Sequence, residues 1–132
     1  MPTITGPVLV VDDDAAVRQS LKFALEQEGL EVSLYGSGPE LLAASRLPST
    51  GCLVVDLTMP GMDGIVLLDR LRKRHVDLPA ILITSPASPR LRARALRAGY
   101  RQVLEKPLED GALLDGIHSA LAASARHGAP DG

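Results

Sequence analysis

The order of apolar segments predicts an α/β fold with a doubly wound, five-stranded parallel sheet. Short apolar runs alternate strictly with amphipathic stretches, five of each. Such alternation gives a parallel sheet covered by helices on both faces. Four of the runs are apolar almost throughout, as strands buried on both faces are. These runs also stop abruptly at polar residues. Val8–Val11 stops at Asp12, Asp13 and Asp14, and Cys52–Val55 stops at Asp56. Ile81–Ile83 stops at Thr84 and Ser85, and the run through Val103 and Leu104 stops at Glu105 and Lys106. A parallel sheet brings such ends to one edge, where ligands bind.

Each element has its own signal. Val8–Val11 is the first strand. Ala15–Glu28 is a helix with Val17, Leu21, Ala24 and Leu25 on one face; Gly29 is its stop. Glu31–Tyr35 alternates polar and apolar residues and reads as an edge strand. Pro39–Ser45 is a short helix whose proline suits the first turn. Cys52–Val55 is the third strand, and Gly64–His75 is a helix with Ile65, Leu68 and Leu71 in register. Pro79–Ile83 is the fourth strand. Ser88 as N-cap and Pro89 at the first helical position open a helix that runs to Ala98 and stops at Gly99. Gln102–Glu105 is the fifth strand. The last helix runs from Glu109 to about Ala125, with Leu113, Leu114, Ile117 and Leu121 as its stripe.

The 132 residues suit one domain, read as residues 1–125, with 126–132 as a flexible tail or the start of a linker. Phe23, Tyr35 and Tyr100 are the aromatics, so the core must be aliphatic. A formal charge of −2 gives no nucleic-acid or membrane footprint to the whole chain. Cys52 is the lone cysteine; it cannot form an internal disulfide, suits a reducing compartment and reads as a small core residue. The first six residues are too short and polar for a signal peptide. No apolar run approaches the ~20 residues of a membrane span. These features predict a soluble cytoplasmic domain.

The polar strand ends are the candidate site. Asp14 is nearest the first helix and reads as its cap. Asp12 and Asp13 need another account, because adjacent carboxylates raise each other's proton affinity unless a cation intervenes. Magnesium takes one or two carboxylates plus waters and phosphate oxygens. Asp56 before a Pro-Gly turn is weak evidence alone, since turns use Asp freely. Beside the acidic cluster it is a candidate nucleophile toward phosphorus. Lys106 and the Thr84 hydroxyl would contact the phosphoryl oxygens.

The chain here resembles the receiver domains of two-component response regulators, over about residues 7–123. The matching motifs are Val11-Asp12-Asp13-Asp14, Asp56-Leu57-Thr58-Met59-Pro60-Gly61-Met62-Asp63-Gly64, Ile83-Thr84-Ser85, Ala98-Gly99 and Glu105-Lys106-Pro107-Leu108. Separations of 43 residues from Asp13 to Asp56, 28 on to Thr84 and 22 on to Lys106 make the set specific. Its style is closest to FixJ/NarL receivers. The resemblance implies the flavodoxin- or CheY-like three-layer sandwich with strand order 2-1-3-4-5. It implies Asp56 as phosphoacceptor from a sensor histidine kinase, with Thr84 and Lys106 binding the phosphoryl group. It implies Mg2+ on Asp12, Asp13, Asp56 and the Thr58 backbone carbonyl, with Asp12 acting through water. It also implies a cis Lys106–Pro107 bond. Its partners would be an output domain or partner protein, or a homodimer through the fourth helix, fifth strand and fifth helix.

The family's aromatic switch position, three residues before the lysine, holds Val103 here, and Tyr100 lies three residues earlier. The expected readout therefore uses the fourth helix and the loop Ser85–Pro89, which its two prolines should stiffen. Arg90, Arg94 and Arg97 share a face of that helix, either a solvated surface or a partner surface, with Leu96 near Arg92 by helical angle. Two other readings stand beside this one. A phosphate-independent interaction module would keep the fold without the chemistry. A haloacid-dehalogenase-type phosphatase would also use an Asp nucleophile, magnesium and a lysine, but wants a second Asp where Thr58 stands. The glycine pairs are not dinucleotide fingerprints. His75, His118 and His127 form no zinc-spaced set with Cys52.

Overall fold

A computed structural model describes residues 6–108 and 111–128. The elements in chain order are β1 (Pro7–Val11), α1 (Ala15–Gln27), β2 (Glu31–Tyr35), α2 (Gly38–Leu42) and β3 (Cys52–Asp56). Then come α3 (Gly64–Lys73), β4 (Ala80–Thr84), α4 (Pro89–Ala98), β5 (Gln102–Glu105) and α5 (Ala112–Gly128). The five strands form one parallel sheet in the order β2-β1-β3-β4-β5, as expected. The reversal between β1 and β3 puts a crevice at the carboxyl edge of the sheet.

Strand alternation divides the core into two layers. Leu9, Val11, Leu53, Val55 and Leu82 face α3, with Leu67, Leu68 and Leu71 packed on them. Val8, Val10, Cys52, Val54, Ile81 and Ile83 face the other way, against Leu25 of α1 and Leu113, Ile117 and Leu121 of α5. Cys52 is fully buried, and burial pushes its thiol up to about 12. Ser124 of α5, also buried, accepts the Gly51 N–H at 2.9 Å and ties that helix to the start of β3.

Boundaries differ from expectation by small, explicable amounts. β3 and β4 each take in the polar residue that ends them, Asp56 and Thr84. α3 ends at Lys73, and His75 stands at φ 63. His75 N–H bonds to the Arg72 carbonyl and Val76 N–H to the Leu71 carbonyl. This is the Schellman stop, with histidine in the left-handed position that Gly29 takes after α1. α2 is shorter than expected, Gly38–Leu42. α5 runs on to Gly128, past its expected end near Ala125; its expected start at Glu109 lies outside the described residues, as do 129–132 and 1–5. The α1 face is also narrower than its spacing suggests. Leu25 is buried, Val17 and Leu21 are half-buried, and Ala24 is exposed.

Candidate functional site

Each strand of the inner sheet delivers one polar group to the carboxyl edge. β1 ends just before Asp12, which is 4% exposed. One Asp12 carboxylate oxygen accepts the Asp14 N–H at 2.9 Å, which shapes the turn into α1. Asp14 caps that helix, accepting from Ala16 and Val17, as its position suggested. Asp13, between the two, is exposed. β3 ends at Asp56, 6% exposed. One oxygen from each of Asp12, Asp13 and Asp56 can be chosen so that all lie within 4.8 Å of one another.

Three converging carboxylates, two of them buried, are the donor set of a hard divalent cation such as magnesium. The residues present therefore fit that metal. Their proximity also shows in the Asp56 carboxyl. Burial raises its proton affinity above the ordinary value of 3.8, and the Asp12 charge raises it further. Lys106 works against both. Its ammonium stands 3.3 Å from Asp56 Oδ1, just past the end of β5.

Thr84 closes β4, 3% exposed, in register with Glu105. Its carbonyl accepts the Lys106 N–H at 2.8 Å, so hydroxyl and ammonium arrive from adjoining strands. Thr58 is exposed in the β3–α3 connection, two residues beyond Asp56. Gly64 opens α3 directly above. A Cβ there would sit 3.0 Å from the Asp56 carbonyl and 2.9 Å from Leu82 Cδ1, so glycine lets α3 close over the strand end. Lys106–Pro107 is cis, as expected, and so is Ser85–Pro86.

The contacts of four side chains escaped the sequence reading. Arg18 donates to the Asp12 carbonyl at 2.6 Å and anchors the acidic turn from α1; its place four residues after Asp14 is the signal. Glu105 accepts the Ala87 N–H at 2.7 Å and so holds the β4–α4 loop. Arg92 reaches from α4 to the Val103 carbonyl at 3.1 Å and toward Glu105 at 3.8 Å. Tyr100 is 2% exposed, and its hydroxyl donates to the Gly64 carbonyl at 2.7 Å. Burial pushes that phenol up. Tyr100 thus joins the α4–β5 junction to the start of α3, while Val103 occupies the strand position near the edge.

Fold and pocket together define an α/β domain with an acidic, lysine-bearing crevice at its topological switch point. A family model of the response regulator receiver domain matches residues 8–118, and the chain belongs to that family. The transcriptional regulatory protein FixJ of Azorhizobium caulinodans is 38% identical over 122 residues, covering 92% of this chain and 58% of that protein. FixJ of Bradyrhizobium diazoefficiens is 40% identical over 119 residues, with 90% and 58% covered. Among solved structures, the response regulator StyR superposes with a TM-score of 0.85 at 38% identity, over 92% of this chain and 61% of that one. FixJ-N superposes with a TM-score of 0.81 at 36% identity, over 88% and 93%. The chain spans 58% of the length of the two FixJ proteins it matches. It is a receiver domain of two-component signal transduction, a family in which aspartate phosphorylation with Mg2+ is general. Nothing in the family match or the fold favours the phosphatase or the phosphate-independent reading. Among the described residues no helix is long and apolar enough to cross a membrane.

Proposed function

We propose that Asp56 is the phosphoacceptor, charged by a sensor histidine kinase. A carboxylate oxygen of Asp56 forms the new bond to phosphorus while the donor's bond to phosphorus breaks and the donor keeps the electron pair. The observation that carries this reading is the meeting of Asp56 with Lys106 at 3.3 Å beside two further carboxylates. The ammonium is placed to take up negative charge on the phosphoryl oxygens, and the Thr84 hydroxyl binds a second oxygen. Asp12, Asp13, Asp56 and the Thr58 carbonyl would hold Mg2+, which supplies positive charge against the incoming phosphoryl group.

The domain acts as an acceptor and not as a turnover enzyme; its own chemistry is limited to gaining and hydrolysing the acyl phosphate. Phosphorylation adds about two negative charges and biases two conformations separated by a few kcal/mol. The readout runs through Thr84, the β4–α4 loop and α4, because Glu105 and Arg92 tie these parts together. The receiver unit is taken as residues 1–125, with 126–132 as a tail or the start of a linker, and its partners as an output domain or partner protein in the cytoplasm. The test is incubation with acetyl phosphate and Mg2+, followed by intact mass. The wild type gains one phosphoryl group and Asp56→Asn gains none. Wild-type labelling of Asp56→Asn would refute the assignment.

A further inference from the structure

Of the three aromatic side chains, Tyr100 alone is buried; Phe23 is exposed and Tyr35 half-buried. Tyr100 follows Gly99, which ends α4 in the left-handed conformation, and its own N–H bonds to the Ala95 carbonyl. Its backbone is therefore fixed by a helix stop. Its ring lies in the core layer that also holds Met59, Leu68, Ala95 and Val103. A phenylalanine would fill that layer without needing a partner, whereas a buried phenol must find an acceptor. The acceptor is the Gly64 carbonyl, 2.7 Å from the hydroxyl and 36 residues away along the chain.

Gly64 closes the connection from β3 to α3. Its N–H bonds to the Leu57 carbonyl at 3.0 Å, and the Leu57 N–H bonds to the Ile83 carbonyl at 2.9 Å. Residues 57 to 64 thus form a loop whose ends are tied to each other and to β4. The approach is close, since a Cβ on Gly64 would stand 3.0 Å from the Asp56 carbonyl. Through Gly64 the Tyr100 hydroxyl reaches Leu57, the residue between Asp56 and Thr58. We propose that Tyr100 is a positioning residue for the cation site: its hydroxyl fixes the start of α3 and, through Gly64, the Leu57–Thr58 backbone. The inference rests on the reading of Asp12, Asp13, Asp56 and the Thr58 carbonyl as Mg2+ ligands. Asp56 closes a paired strand and Asp12 is buried at the end of another. Thr58 is exposed on a connecting loop, so of these ligands it depends most on a tie from outside. Hydrogen bonds behind metal ligands set their orientation, and losing one weakens the metal by about tenfold or more. Tyr100 acts through two backbone bonds, so its effect is smaller.

The experiment titrates Mg2+ alone into the isotope-labelled 132-residue chain, followed by amide NMR and calorimetry. Tyr100→Phe removes the hydroxyl and keeps the ring. Ser124→Ala is the control, because it removes another buried hydroxyl bond, to the Gly51 N–H at 2.9 Å, at the opposite edge of the sheet. Tyr100→Phe weakens Mg2+ binding by about fivefold and speeds exchange of the Gly64 amide, while Ser124→Ala leaves Mg2+ affinity within about twofold of wild type. Labelling of Tyr100→Phe by acetyl phosphate is slow at limiting Mg2+ and returns to the wild-type rate at saturation. The proposal is overturned if wild type and Tyr100→Phe bind Mg2+ equally, if Ser124→Ala weakens it as much, or if the labelling defect persists at saturating Mg2+. If Mg2+ shifts none of the Asp12, Asp13 and Asp56 amides in the wild type, the ligand set itself is wrong and the inference falls with it.

Discussion

The two halves of the sheet's carboxyl edge end in polar residues, yet they hold them by different means. Asp56 closes β3, a strand paired on both sides, and Asp12 and Asp13 follow directly on β1, with the Asp12 N–H bonded to the Tyr35 carbonyl. On β4 and β5 the polar ends are tied by long side chains crossing between elements: Glu105 to Ala87 N–H, Arg92 to the Val103 carbonyl, and Lys106 to Asp56. Moving Asp56 means breaking the β3 ladder. In the second half the ladder also holds Thr84 and Glu105, but the β4–α4 loop, Arg92 and the Lys106 side chain can move because each tie is a partly exposed contact, each contributing on the order of 1 kcal/mol. Chemistry needs the rigid half, and a switch needs the movable one.

That contrast can be broken or sharpened by mutation. The largest effect after loss of Asp56 itself belongs to Lys106. Lys106→Ala should slow labelling by acetyl phosphate by about 10²-fold, as removal of one charge-stabilising donor does, with little change in Mg2+ affinity. Asp13→Asn should do the reverse, weakening Mg2+ binding by about tenfold or more through the lost ligand charge, measured by titration calorimetry. If Lys106→Ala abolished metal binding, the two halves would not be separable.

Glu105→Ala should release the β4–α4 loop. Hydrogen exchange at Ala87 should quicken by about fivefold, in line with one lost charge-assisted bond, while the amides of β1 and β3 stay protected. Unchanged exchange at Ala87 would mean that the loop is held by something else.

The smallest effect is on stability against pH. Burial, then Asp12, raises the Asp56 proton affinity in the folded state. That contribution favours the fold below the ordinary value of 3.8 and is lost as pH rises through the raised folded value. Asp56→Asn should therefore raise the melting temperature at neutral pH without metal, and the gain should vanish toward acid. A neutral-pH melting temperature lowered by the substitution would reverse the assigned sign.

Much of the rigid half was legible in the sequence because it depends on periodicity and strand ends. Val8–Val11 and Cys52–Val55 announce buried strands, and the residues closing them must share an edge once the sheet is parallel. Sheet order followed from the receiver resemblance. The movable half was less legible. Glu105 meets Ala87 across 18 residues of chain, and no spacing rule encodes that approach. Tyr100, placed near the switch position by sequence, proves to be an anchor buried against Gly64. The α3 stop at His75 hid because histidine stands where glycine is the usual signal. Leu67 was missed because the wall of α3 is wider than the one-row stripe read from Ile65, Leu68 and Leu71.

The most direct measurement locates the phosphoryl group. Borohydride reduction of the labelled chain converts an acyl-phosphorylated aspartate to homoserine, and peptide mass mapping then finds the converted residue. The account predicts homoserine at position 56 alone, dependent on Mg2+. Homoserine at position 12 or 13, or a label that resists borohydride, would contradict it.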